Sequence, residues 1–551
     1  MTASATLEVA LYGCAVILGA VLRLLLLDAR PLSVDEGTFA LQSYGVMLGR
    51  FAEPLRNGPL PTYGVAATLA LFGGGDGAAR LFSVIPGSAV SVAPWFLRAS
   101  IGRAAGVVAA WGFALSPILL LGSRTVGSDA LIAVLALALW WACGPSRLQG
   151  WWRALSVAVL AAALLTSGPS GLTAGGALGL AALLSYPDLD GLSKSARSVW
   201  SSPLRTSIIL IFIGAMLVIS TGFGVNLRGI QYVLADSWST WFGTFTARGN
   251  RGGALPTIAM YELPALLLAV VGVGITLVHR RRTDLFLALW AVILLLTGMV
   301  QSGTALSKAM LAVVPIYLLA SRTVASSLSV ARGASSGWRW RASLVAASVP
   351  VFVAFGLLNR ASKLSEPTPV EFIYGEAGLV LAAISLLAYL PEGAGRRAIL
   401  WYGFAALSVA FIVHSAVFLN YRMESAPSEP VVGQQISPEL RRATTEAVYY
   451  STYFDATVRV DPQLRGALAW YLRGAPNVEY SAQQSEGISI LLAPTAQAPL
   501  GEGSNRIPGV FTPAFDGGLS WRGAWGWVIA RNGLVRPNPR DIILRAPSSA
   551  L

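Results

Sequence analysis

The chain has 551 residues, 54% of them hydrophobic and only 12% charged. That charge fraction is about half that of a soluble domain, and the mean hydropathy is +0.62. The formal charge of +13 does not signal nucleic acid, because the basic residues cluster in short loops between apolar runs. Two cysteines, Cys14 and Cys143, both lie inside apolar runs and exclude a disulfide framework. His279 and His414 are the only histidines and stand far apart, which excludes a histidine dyad or histidine metal centre.

Apolar runs lie near 7–27, 60–73, 80–97, 104–121, 130–145, 154–167, 171–186, 206–224, 262–278, 285–300, 309–321, 342–358, 375–390 and 398–419. No Lys or Arg precedes Arg23, so the first run lacks the basic start of a cleavable signal and is expected to remain as a span. Counted as fourteen spans, the runs put the loop holding Asp35 and Glu36 opposite Asp129 and scatter the basic loops over both faces. The run at 60–73 is the odd one. It begins at Pro59 and Pro61, ends in Gly73-Gly74-Gly75, and covers about 20 Å against about 30 Å of hydrocarbon. It reads as a helix lying in the interface.

Thirteen spans remain, and the loop charges then separate. One side holds Arg98, Arg147, Lys194, Arg280, Arg281, Arg282, Arg322 and Arg396 with few acids, and is expected to be cytoplasmic. The Asp35 loop, Asp129, the 225–261 loop and the C-terminal part then face outward, in a multi-pass protein of the plasma membrane. After residue 420 the apolar runs stop. Ser437-Pro438-Glu439 reads as a helix start, Thr457–Val460 and Ile488–Leu492 as strands, and Gly466–Arg473 as a short helix. Two domains are therefore expected, 1–420 in the membrane and a small mixed α/β domain at 421–551 outside it.

Charges at a membrane edge are functional candidates. The outer set contains Asp35, Glu36, Arg56, Asp76, Arg80, Arg124, Asp129, Arg228, Glu262 and Lys308. Carboxylates can serve as general bases and cations can hold a phosphate. Such a set suits transfer of a sugar from a polyprenyl-phosphate carrier to an acceptor hydroxyl. For each residue a plainer role stands beside the functional one. Asp35 could cap a helix beginning near Gly37. Glu36 could favour its first turn. Asp129 could cap the next span, and Arg124 could be an interface anchor. Trp238 and Trp241 are interface anchors or sugar platforms.

Several short motifs add a resemblance. Asp35-Glu36 after the first span resembles the acidic motif of the GT-C glycosyltransferases, which include protein O-mannosyltransferases and aminoarabinose lipid A transferases. Asp35-Glu36-Gly37, Gly58-Pro59-Leu60, Phe72-Gly73 and Arg80 are similar to the flippase-associated predicted mannosyltransferase family of archaeal-type N-glycosylation. So are Ser116-Pro117, Ser123-Arg124 with Asp129, Tyr261-Glu262, Lys308 with Pro315, and Trp470-Tyr471-Leu472-Arg473. The chain departs from that family at Val34 and Asn57, where histidine is usual, and at Thr166-Ser167-Gly168, where a lysine is usual.

The resemblance implies an all-α polytopic GT-C membrane fold. Its first outer loop would carry juxtamembrane helices near 37–49 and 60–73. It implies Asp35, Glu36 and Asp129 as catalytic carboxylates. Arg80, Arg124 and Lys308 would contact the donor phosphate, and Asn57, Tyr63 and Glu262 the acceptor. The expected partners are a polyprenyl-phosphate-linked sugar, a lipid, glycan or protein acceptor, and membrane lipids, with no nucleic acid. No metal site is specified, although oxygen ligands from Asp35, Glu36 and Asp129 would suit Mg²⁺ or Mn²⁺. A lipid-linked-sugar flippase and a non-catalytic assembly protein stay open as alternatives.

Overall fold

A computed structural model describes residues 3–51, 55, 57–144, 150–185, 204–247, 253–332, 394–421, 431, 433–481, 489–494, 504–515 and 535–545. Helices α1 (Ala3–Leu24), α2 (Val34–Met47), α3 (Pro59–Phe72), α4 (Asp76–Val90), α5 (Ala93–Ile101), α6 (Arg103–Leu115), α7 (Pro117–Ser123), α8 (Asp129–Cys143), α9 (Gly150–Leu165) and α10 (Pro169–Leu184) open the chain. Helices Leu204–Ser220, Ser237–Thr246, Ala254–Tyr261, Leu263–His279, Arg282–Val300, Ala305–Arg332 and Ala394–Tyr421 follow.

Helix Ala305–Arg332 forms the centre. Its stretch from Ala309 to Leu319 is buried almost throughout, packed by α6, α7, α8, Leu263–His279 and Arg282–Val300. The outer helices instead expose large apolar side chains, among them Ile17, Val21, Leu210, Val270, Leu277 and Val278. Such surface is stable against lipid, not water. The protein is membrane-embedded.

Five described helices are long and apolar enough to cross a membrane, seven if each bent pair counts as one span, and five shorter apolar helices accompany them. The expected runs at 342–358 and 375–390 lie outside the described residues. One expected span, 104–121, is broken by proline, and a second bend next to a proline falls at the start of the expected span 262–278. The α6–α7 pair bends by 57° at Ser116-Pro117, and Ala254–Tyr261 meets Leu263–His279 at 110° around Glu262, two residues before Pro264. Proline brings no N–H and its ring displaces the preceding turn, so the helix stops there. The run at 60–73 is indeed short: α3 has 14 residues, about 21 Å. Gly58 at its start has φ of 92°, and a Cβ there would lie 2.4 Å from the Gly168 nitrogen. Only glycine allows α3 to close on the α9–α10 turn.

The expected juxtamembrane helix near 37–49 begins earlier, at Val34. Ser33 is its cap, accepting from Glu36 N at 3.2 Å while Glu36 Oε2 accepts from Ser33 N at 2.9 Å. This capping box satisfies two otherwise orphan donors. Asp35 is thus not the cap.

The C-terminal residues form a six-stranded sheet, β1 (Gln435–Ile436), β2 (Thr457–Val460), β3 (Val478–Tyr480), β4 (Ser489–Pro494), β5 (Ser504–Phe515) and β6 (Val535–Arg545), ordered β1-β5-β6-β4-β2-β3. Strand β2 runs parallel to β3 and β4, and the remaining pairs are antiparallel. Helix Pro438–Tyr453, capped by Ser437, covers the sheet through Leu440 and Ala447 against Val458, Val460 and Val510. The expected helix at Gly466–Arg473 is shorter, Arg465–Leu468, and continues as hydrogen-bonded turns through Leu472.

Candidate functional site

The two adjacent carboxylates have opposite surroundings. Glu36 is 3% exposed. Its Oε1 accepts from Arg80 Nε at 3.1 Å and Val126 N at 2.9 Å. Its Oε2 accepts from Ser33 N at 2.9 Å, Arg80 Nη2 at 3.3 Å and Arg30 Nη2 at 3.5 Å. Burial alone would raise its pKa, but Arg80 and then Arg30 outweigh it and hold the carboxyl at about 2. Every strong acceptor position is occupied, so Glu36 braces the loop and has no oxygen left for an acceptor or a metal.

Asp35 points the other way and is exposed. Among the described residues no donor or cation pairs with its carboxylate. The backbone of Gly433 passes close above Asp35 Oδ2. Crowding by the surrounding chain, and then the Glu36 charge, push its pKa upward. A free, slightly basic carboxylate beside a locked one is the arrangement a general base needs.

The expected phosphate ligands separate. Arg80 is 1% exposed. Besides Glu36 it donates to the carbonyls of Leu27 at 2.9 Å, Arg30 at 2.7 Å and Pro31 at 3.0 Å. Arg124 donates to the carbonyls of Leu22 at 2.9 Å, Arg23 at 3.2 Å, Leu25 at 2.5 Å and Leu26 at 3.2 Å, and stacks on Tyr421 at 4.7 Å. These carbonyls lie at the end of α1 and in the chain that leaves it. Both arginines therefore tie down the chain reversal at 22–31, and with Arg30, Asn420 and Tyr421 they line a small pocket there, apart from the cavity that Lys308 lines.

Lys308 lies elsewhere. It donates to the Gln301 carbonyl at 2.5 Å and lines a cavity of about 350 Å³ with Asn57, Ser170, Thr173, Thr244, Gln301 and Ser307. That volume falls in the range of small-molecule sites. Ser307 Oγ donates to Asp129 Oδ1 at 2.7 Å and stands 3.3 Å from Ser170 Oγ. Asp129 thus sits behind the cavity wall, at the start of α8. Trp241 Nε1 donates to Thr173 Oγ1 at 3.0 Å, so this tryptophan supports the wall, while Trp238 remains exposed.

Two expected acceptor contacts lie away from this cavity. Tyr63 donates to the Ser220 carbonyl at 2.9 Å and packs under Gly222. Glu262 is fully buried at the 110° bend, accepting from Ser116 Oγ at 2.5 Å, Tyr317 Oη at 2.5 Å and Ile118 N at 3.1 Å. It ties the bend at Glu262 to the bend at Ser116-Pro117 and to the central helix; a desolvated carboxylate persists only with donors of this kind. Asp35, Glu36 and Asp129 do not gather into an ion cage: among the described residues no three His, Cys, Asp or Glu side chains are placed to hold a metal.

Arg30 and the hydroxyl-rich cavity wall are not among the residues expected from the sequence. Ser33 followed three residues later by Glu36 is a capping-box signature that signals the inward Glu36. No comparable signal marks the wall, because isolated Ser and Thr at helix ends are common.

No protein-family model and no curated protein matches the sequence. Solved structures do match. The first is ArnT from Cupriavidus metallidurans bound to undecaprenyl phosphate, with TM-score 0.56, 14% identity, and 100% of this chain and 99% of that chain covered. The same protein in the apo state matches with TM-score 0.51 and 16% identity over 86% of each chain. The Archaeoglobus fulgidus oligosaccharyltransferase AglB, in complex with an inhibitory peptide and a dolichol-phosphate, matches at TM-score 0.48 and 11% identity, over 86% of this chain and 64% of that one. These neighbours are GT-C membrane glycosyltransferases. The chain has the fold of ArnT, and so the GT-C fold.

Proposed function

We propose that the protein is an integral-membrane glycosyltransferase. It moves a sugar from a polyprenyl-phosphate-linked donor to an acceptor hydroxyl at the extracytoplasmic face, where residues 421–551 form an outer domain. The observation that carries this reading is the uncommitted, outward Asp35 carboxylate beside the saturated Glu36. The ArnT neighbour's bound undecaprenyl phosphate supports the donor class.

Asp35 takes the proton from the acceptor hydroxyl as its oxygen attacks the anomeric carbon in line. The carbon–oxygen bond to the lipid phosphate breaks with inversion, and the polyprenyl phosphate leaves with the bonding electron pair. Lys308 offsets the charge that grows on that phosphate. Asp129, through Ser307, orients the cavity wall on which the sugar rests, with Asn57 and Gln301 as polar contacts. Arg80 in α4 and Arg124 after α7, which hold the carbonyls of the chain leaving α1, build the site without touching the donor.

The test is Asp35→Asn in purified full-length protein reconstituted in liposomes. The readout is release of polyprenyl phosphate from radiolabelled polyprenyl-phosphate hexoses, with extracted cell-envelope material as acceptor. Removing a general base lowers turnover by about 10²–10⁴-fold. Turnover within a few-fold of the wild-type rate in the Asn variant would sink the role given to Asp35.

A further inference from the structure

The C-terminal sheet region makes direct contacts with the membrane-embedded part of the chain. It reaches into the loop that carries Asp35 through the Trp470-Tyr471-Leu472-Arg473 segment. Tyr471 Oη accepts a hydrogen bond from Leu32 N at 2.7 Å and donates to Asp76 Oδ2 at 3.0 Å. Asp76 is 4% exposed, and its Oδ1 accepts from the fully buried Trp470 Nε1 at 2.8 Å. Arg441 adds its charge at 3.6 Å from Asp76 and donates to the Asp28 carbonyl at 3.1 Å. Arg473 donates to the Gly74 carbonyl and stacks on Trp470 at 3.6 Å.

The backbone before Asp35 is held at each step. Leu32 N–H goes to Tyr471, Ser33 N–H to Glu36, and Val34 N–H to the Gln434 carbonyl at 3.1 Å. Two of these three partners come from beyond residue 421. The Trp470 Cβ also closes on Gly37, where an added Cβ would lie 3.5 Å away.

We infer that Tyr471 is a positioning residue for Asp35: its hydroxyl, oriented by Asp76, fixes the Leu32 N–H three residues before the base, where the chain enters the Ser33-capped helix. The inference rests on the reading of Asp35 as the base. Its physical ground is strict. A proton acceptor must lie within hydrogen-bond reach of the attacking hydroxyl, and a displacement of about 1 Å costs about 10²-fold in rate. A hydroxyl that receives from one group and donates to another transmits the position of Asp76 to the Leu32 backbone. Phenylalanine keeps the ring but breaks both bonds.

The experiment uses full-length protein in liposomes, with Tyr471→Phe, Asp35→Asn and the double variant, all assayed with polyprenyl-phosphate hexose. Tyr471→Phe is expected to lower kcat by about 10–100-fold with KM for the donor within twofold. In the Asp35→Asn background the same change is expected to have no further effect, because its route to the chemistry is already cut. If Tyr471→Phe does not give a monodisperse protein, Asp76→Asn takes its place. Asn still accepts from Trp470, but its amide presents donors to Tyr471 Oη, leaving the phenol hydrogen without its acceptor. The same kcat loss is expected there. A kcat within twofold of wild type, or a loss that multiplies with that of Asp35→Asn, would overturn the inference. An active Asp35→Asn single variant would instead overturn the underlying reading of the base, so the two failures are distinguishable.

Discussion

Glu36→Gln separates the bracing carboxylate from the exposed one, the proposed base. Glutamine keeps the shape and removes the charge that faces Arg80, which is itself 1% exposed. In the native protein burial raises the Glu36 pKa, and Arg80 and Arg30 overcome that rise, moving it from 4.5 to about 2. A carboxyl shifted this far by folding contributes about 3 kcal/mol of stability at neutral pH. Because folding lowers the pKa, the contribution is complete above about 4.5, shrinks as pH falls, and is gone below about 2. Breaking a buried ion pair by removing one partner costs about 3–5 kcal/mol, the same scale. Thermal unfolding of full-length protein in nanodiscs, followed by tryptophan fluorescence from pH 7 to pH 3, measures both effects. The variant is expected to melt several degrees lower at pH 7. Its curve should be flatter below pH 5, so that the two proteins converge as wild-type Glu36 becomes protonated. Equal melting temperatures at pH 7, or curves that stay parallel down to pH 3, would refute the assignment of Glu36 as a brace.

Asp35→Asn should behave oppositely in the same melt. Folding raises the Asp35 pKa, so its ionised form opposes folding above the ordinary carboxylate range, and the Asn variant is expected to melt at or slightly above the wild-type temperature at pH 7; a fall of several degrees would show an unrecognised structural bond. Arg124→Gln and Lys308→Gln divide the cations. The first should lower the melting temperature while leaving the affinity for undecaprenyl phosphate within about twofold. The second should weaken that affinity by about tenfold or more, the value of a charge-assisted hydrogen bond. Calorimetric titration in detergent reads both affinities, and a reversed pattern would move the phosphate site to the pocket that Arg30, Arg80 and Arg124 line.

The apolar runs carried the membrane character and most helix positions in the sequence, because burial in lipid is written in length and hydropathy. The short run at 60–73 and the helix start at Ser437 were legible for the same reason: Pro59, Pro61 and Gly73 bound one, and a Ser-Pro cap opens the other. The breaks inside spans were harder. Pro117 and Pro264 were visible, but Pro86 and Pro315 stay inside continuous helices, so proline alone does not decide where a span bends. The roles of the arginines were not legible at all. A sequence shows that Arg80 and Arg124 sit at a membrane edge. It does not show that carbonyls of the chain reversal at 22–31 converge on these guanidiniums. The same holds for Glu262, whose donors come from residues 116, 118 and 317.

Asp35 and Glu36 differ because successive residues of a helix are rotated by about 100°. The Ser33 cap sets where the helix begins, and so which of the two carboxylates turns inward. Glu36 then does two things at once. Through Arg80 and Arg30 it fixes the chain that leaves α1. Through the Val126 N–H it fixes the turn that leads, three residues later, to Asp129 and the cavity wall. One charge-saturated side chain therefore ties the segment carrying Asp35 to the segment carrying Asp129, while Tyr471 holds the former from above. The locked carboxylate is the reason the free one can be left without a partner: its position is set by its neighbour's bonds, and none of its own oxygens has to be spent on holding it in place.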